Sequence, residues 1–127
     1  MKALVRRLED QPWDAWPQAQ QAERGALRWR DLFAGVPEDG ANVTLGVATL
    51  RRGETLEPHR HSEPETYYTL AGRGIVTIDG VAHAVEPGTA LFIPGDAEHG
   101  IRNDNDDTLE ILYVFAVSDF NQVVYRF

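Results

Sequence analysis

From Thr66 onward apolar and polar residues alternate in short runs, and glycine and proline break the runs at close intervals. Thr66 to Leu70, Ile75 to Ile78, Val81 to Val85, Ala90 to Pro94 and His99 to Asn103 each read as a strand, because a period of two turns one face inward and the other outward. Asp79-Gly80, set between two such runs, predicts a tight hairpin, since both residues tolerate the positive φ that a two-residue turn demands. Pro87-Gly88 marks a further turn. Upstream, Arg28 to Phe33 reads as a strand with Trp29, Asp31 and Phe33 on one side, residues 35 to 40 as a loop by composition, and Asn42 to Leu50 as a β-rich run. Leu109 to Val117 is apolar on both faces and reads as a central strand whose outer side is also covered. Within Phe120 to Phe127, Val123 to Phe127 reads as a last strand. Helical character is confined to Gln18 to Arg24, one or two turns after Pro17. Many short strands with almost no helix predict an all-β sandwich or small barrel.

Residues 1–24 form a short N-terminal arm ahead of a single domain over 25–127. Trp13 and Trp16 are its anchors, docking it on the domain or on a partner subunit, because rings of that size are rarely left in water; packing into the core is the plain alternative. A chain of 127 residues, 43% hydrophobic, suits one compact core. It has no cysteine, so no disulfide framework and no thiolate ligand or nucleophile, which fits a reducing compartment. No apolar run reaches secretory or transmembrane length, and the expectation is a soluble, cytoplasmic protein with no membrane partner. A net charge of −8 argues against nucleic acid, whose phosphates need clustered Lys and Arg. The same charge keeps a protein soluble and would draw a cationic substrate.

The chemistry gathers in one stretch. His59, His61, Glu65, Tyr67 and Thr69 fall on odd positions, so in one extended run they share a face, while Arg60, Thr66 and Tyr68 share the other. Imidazole with carboxylate suits divalent iron, manganese, nickel, zinc or copper, and the lack of thiolate disfavours copper(I) and structural zinc. A lone His-x-His is more often a pair of surface histidines, but here the pattern extends further.

The first stretch reads Gly-x5-His-x-His-x3-Glu-x6-Gly, from Gly53 through His59, His61 and Glu65 to Gly72. The second reads Gly-x5-Pro-x4-His-x3-Asn, from Gly88 through Pro94 and His99 to Asn103. Together they resemble the two signature motifs of the cupin superfamily. One departure is Asp96, where the family usually has glycine; Gly95 beside it offers a residue able to take positive φ. The resemblance implies a cupin jelly-roll β-barrel in which His59, His61, Glu65 and His99 ligate one divalent transition metal, iron(II) or manganese(II) being favoured. An octahedral ion so held keeps two positions open. Tyr67, two residues beyond Glu65, is the first choice for a proton-transfer group, with packing or hydrogen bonding as the other role open to it. His83 is expected at the surface, Asn103 is expected to fix the turn after His99, and Arg60 and Arg102 are expected to point outward. Homodimers are common in the family, and a homodimer or residues 1–24 would cover the outer face of 109–117.

A narrower likeness lies in His59-x-His61-x3-Glu65-x-Tyr67, the following His99 and the tail Val-Val-Tyr-Arg-Phe. These are similar to the small single-domain cupin lyases that cleave dimethylsulfoniopropionate. That likeness implies a β-elimination on a small carboxylate substrate, with Tyr67 or a metal-bound hydroxide taking the proton. Two other classes stay open: a non-haem iron dioxygenase, and a non-catalytic module that binds a metal or small molecule.

Overall fold

The structure, a computed structural model, describes residues 2–34, 40–117 and 119–127. In chain order the strands are β1 (Asp14–Ala15), β2 (Arg28–Ala34), β3 (Thr44–Leu50), β4 (Thr55–His59) and β5 (Glu65–Ala71). They continue as β6 (Gly74–Ile78), β7 (Val81–Val85), β8 (Ala90–Ile93), β9 (His99–Arg102) and β10 (Leu109–Phe115). All pairings are antiparallel, and they build a six-stranded sheet in the order β1-β2-β3-β10-β5-β8 and a four-stranded sheet in the order β4-β9-β6-β7. The expected all-β jelly-roll barrel is therefore the fold. A short helix, α1 (Gln21–Arg24), follows a 3-10 turn at Gln18–Gln20, where a helix-forming run was expected. Among the described residues no helix is long and apolar enough to cross a membrane.

Alternation decides which face of each strand turns inward. On β10, Leu109, Ile111, Tyr113 and Phe115 are buried while Glu110, Leu112 and Val114 are partly exposed. On β5 the odd residues Glu65, Tyr67 and Thr69 are buried and the even residues Thr66, Tyr68 and Leu70 are exposed. The inward sets meet between the sheets in a core centred on Leu50, Val76, Ile93, Leu109 and Ile111. Asp79 (φ 47°) and Gly80 (φ 79°) make the expected two-residue turn between β6 and β7.

Two expectations change. The chain from Phe120 to Phe127 is not a strand: it makes a 3-10 turn at Phe120–Gln122 and then touches the sheets at one bridge, Arg60 to Arg126. Arg60, the residue after the end of β4 at His59, makes that bridge through two backbone hydrogen bonds of 2.8 and 2.9 Å. Trp29, Asp31 and Phe33 do not share one side throughout, because the β2–β3 register shifts between Asp31 and Phe33. The arm reaches the domain through backbone pairing as well, Asp14 and Ala15 lying opposite Trp29 and Arg28 of β2. The loop expected over residues 35 to 40 falls, but for Gly40, outside the described residues.

Candidate metal centre

His59 and His99 are opposite one another in the four-stranded sheet, at the end of β4 and the start of β9, with ring centroids 4.2 Å apart. His61 lies in the segment that carries the chain from one sheet to the other, its ring centroid 4.9 Å from that of His99. Glu65 opens β5 in the six-stranded sheet. The single extended run expected over 59–69 is thus broken: the chain turns a corner between His59 and Glu65, and the residues converge because two sheets face each other rather than through one pleat. That corner is held by the turn after β8. Asp96 donates its backbone N–H to the His61 carbonyl at 2.8 Å, and Arg60 Nη1 donates to the Asp96 carbonyl at 2.9 Å. Asp96 itself takes the positive φ of 64°, a conformation Asp tolerates, so Gly95 is needed for a different reason: a Cβ there would strike the Ser62 carbonyl.

All four side chains are buried, none more than 4% exposed. Each histidine has its Nδ1 on a backbone carbonyl: His59 on Glu57 at 2.8 Å, His61 on Glu63 at 2.8 Å and His99 on Ala97 at 2.9 Å. A carbonyl only accepts, so Nδ1 carries the hydrogen and Nε2 is left with its lone pair. Ligand atoms of the three histidines all lie within 4.8 Å of one another. Glu65 Oε1 is 3.3 Å from His61 Nε2 and 3.2 Å from His99 Nε2. Acceptors that close repel unless something positive lies between them, a proton or a metal ion. The buried triad of His59, His61 and His99 is therefore an arrangement that could hold a metal, with ring orientations fixed in advance by the backbone.

The electrostatics agree with this donor set. Burial, and next the neighbouring His99, push His59 down to about 4, so its imidazole is neutral and able to ligate at neutral pH. Burial also pulls on His61, but its hydrogen bond to Glu65 and the attraction of that carboxylate prevail and the net shift is upward.

Tyr67 is buried on β5, inward like Glu65, with its ring 6.1 Å from that of His99. Burial first, and then the charge of Glu65, raise its hydroxyl well above the usual phenol value. Asn103 acts on the backbone as expected: its Nδ2 donates to Leu50 and Asp107 carbonyls, both at 2.9 Å, and its Oδ1 accepts from Asn105 N–H. Arg60 and Arg102 are exposed and pair with Glu98 and Asp104. His83 is half-buried rather than exposed, opposite Val76.

A cavity of about 350 Å³ opens from His59, Glu65 and Tyr67. Its wall includes Trp16, Trp29, Asp31, Tyr113, Phe120 and Tyr125. The tail forms part of the cover, with the Tyr125 ring 5.6 and 5.4 Å from His59 and His61 and Phe127 5.0 Å from His59. Trp16 joins them from the arm, against Trp29, Tyr125 and Phe127. Asp31, Tyr113 and Tyr125 were not picked out from the sequence as site residues. The inward parity of Asp31 beside Trp29 was the available signal, and the apolar pattern of the tail pointed to a strand instead.

With both sheets, the convergent histidines and the cavity in place, the class is defined: the chain belongs to the cupin domain family, which matches residues 46–115. It is 47% identical over 103 residues to the dimethylsulfoniopropionate lyase DddW of Ruegeria pomeroyi, an alignment covering 81% of this chain and about two thirds (67%) of that protein. Among solved structures it is similar to a predicted oxalate decarboxylase from Thermotoga maritima (TM-score 0.76, 21% identical, covering 89% of this chain and 98% of that one). It is also similar to the polyketide cyclase RemF from Streptomyces resistomycificus (TM-score 0.74, 22% identical, covering 100% of this chain and 87% of that one). These two likenesses carry the fold.

Proposed function

We propose that this chain is a metal-dependent lyase that converts dimethylsulfoniopropionate to dimethyl sulfide and acrylate. The observation that carries the reading is the 47% identity to a dimethylsulfoniopropionate lyase over 81% of the chain. The dioxygenase and the binding module have no comparable support.

In the reaction a C–H bond next to the carboxylate breaks, its electrons form the carbon–carbon double bond, and the carbon–sulfur bond breaks with its pair going to sulfur. A divalent transition metal, iron(II) or manganese(II) in this proposal, held by His59, His61, His99 and Glu65 would polarise the substrate carboxylate and acidify that C–H. Tyr67, on the cavity wall two residues from Glu65, is the base in its phenolate form, which takes the proton from that carbon and becomes the neutral phenol. Burial, and next the Glu65 charge, raise its hydroxyl; a cation held beside Glu65 would cancel the second and, as a nearby positive charge, favour the phenolate against the first. Trp16, Phe120 and Tyr125 keep bulk water from the reacting atoms.

The test is headspace dimethyl sulfide from protein loaded anaerobically with iron(II) or manganese(II). Release is expected, and Tyr67→Phe should lower kcat by about a hundredfold or more while metal content stays at the wild-type level. No release at full metal occupancy would overturn the lyase; undiminished release from the variant would remove Tyr67 as the base.

A further inference from the structure

Asp31, Gly46 and Tyr113 stand in one row across three neighbouring strands, Asp31 of β2 paired with Gly46 of β3, and Gly46 paired with Tyr113 of β10. Side chains two strands apart are separated by roughly 10 Å at the backbone and do not normally meet. Here they do, because the middle residue has no side chain: the Tyr113 hydroxyl donates a hydrogen bond to Asp31 Oδ1 directly over Gly46. A Cβ at position 46 would collide with that hydroxyl and with the Arg30 carbonyl. Immediately after Asp31 the β2 register slips, the kind of irregularity that re-aims side chains beside a site.

The carboxylate so placed is a cavity-lining group with no cation of its own. Among the described residues no basic side chain forms an ion pair with Asp31. The nearest in sequence, Arg28 and Arg30, point to the other side of β2 and stack over Trp13 at 4.3 and 4.0 Å. Burial raises the Asp31 carboxyl; the Tyr113 hydrogen bond opposes this and the charge of Asp14 adds to it. A half-buried carboxylate facing rings instead of a guanidinium is costly to keep, and a positive ligand group would offset that cost. The rings are suitable partners for such a group. Trp29 and Phe115 line the same cavity, and a quaternary onium centre, weakly hydrated and with no hydrogen to donate, is held by π faces and an unpaired negative charge.

We propose that Asp31, steadied by Tyr113 across Gly46, seats the positively charged end of a zwitterionic substrate whose carboxylate faces the histidines, an orientation that rests on the lyase function proposed above. The cavity then selects carboxylates bearing an onium group at the far end. In an elimination the sulfur loses its positive charge as it leaves, so attraction to Asp31 is strongest before the bond breaks. Asp31 therefore serves capture and orientation more than the chemical step.

The experiment uses the manganese-loaded protein and two ligands of one shape: β-alanine betaine, and its carbon isostere in which a quaternary carbon replaces the ammonium nitrogen. Calorimetry on the wild type is expected to show about tenfold tighter binding of the betaine. Asp31→Asn should bring the two within about twofold by weakening only the betaine, in a variant that still melts cooperatively. With dimethylsulfoniopropionate the same variant should raise KM and leave kcat undiminished. Equal binding of the two ligands by the wild type overturns the seat, and so does a preference that survives in Asp31→Asn. If no dimethyl sulfide is released yet the preference appears and vanishes as described, the lyase falls and the seat stands; release without any preference does the reverse.

Discussion

At the scale of single residues, the three histidines differ from surface histidines in what their second nitrogen does. Each Nδ1 is committed to a backbone carbonyl, so losing one imidazole leaves the other two aimed at the same point without a full ligand set. His99→Ala should lower metal affinity by more than the ten- to hundredfold typical of outer-shell partners, read as metal retained after chelator dialysis. Full retention would mean that the triad is not the site. Asp31 gives a second prediction at this scale. Its folded-state carboxyl lies above the ordinary value, so it holds a proton more tightly folded than unfolded. Its contribution is then present below the unfolded pKa and lost as pH rises through the folded one, which makes the ionised form a burden at neutral pH. Asp31→Asn should melt higher than wild type at pH 7, with a gap that closes toward pH 4; a gap that is constant with pH would contradict the shift. A variant more stable yet poorer at holding an onium ion is the trade expected of a binding group. The histidines were legible in the sequence because their spacing is a motif. Asp31 was not, because its importance comes from lying in register with Gly46 and Tyr113, and register is not written in one strand's pattern.

At the scale of elements, the strand pattern was legible because alternation records burial, and β6, the Asp79-Gly80 turn and β7 follow it residue by residue. Corners and bulges were not, since they depend on what the chain meets in space. The break between His59 and Glu65 keeps the odd residues converging only because the turn at Pro94–Ala97 holds the His61 backbone in place. Gly95 is the close approach in that contact, its missing side chain leaving room for the Ser62 carbonyl. Gly95→Ala must push the two backbones apart, a strain of roughly 1–3 kcal/mol. The expected result is a lower melting temperature together with weaker metal retention, because His61 moves with the corner. A loss of stability with unchanged metal affinity would show that the corner does not position His61. The tail misled for a related reason: its apolar spacing serves rings laid over histidines, not a sheet ladder.

At the scale of the whole molecule, the arm covers the cavity and leaves another face bare. Trp16 packs against Trp29, Tyr125 and Phe127, at the cavity mouth. On the outer face of the other end of the six-stranded sheet, Tyr68, Leu70 and Phe92 are 43, 42 and 65% exposed. They belong to adjacent strands, with Thr66 opposite Phe92 and Tyr68 opposite Ala90, and the surface continues over the partly exposed Leu112 and Val114 of β10. Among the described residues strand β8 is also the edge of that sheet. A contiguous apolar face beside an open edge predicts self-association. Sedimentation equilibrium at micromolar concentration should give twice the chain mass of 14.2 kDa. Phe92→Asp should give the monomer mass while keeping the wild-type metal content, since Phe92 points away from Glu65 and Tyr67. A wild type that sediments at the chain mass would sink the dimer, and a Phe92→Asp variant that stays dimeric would move the interface to another face.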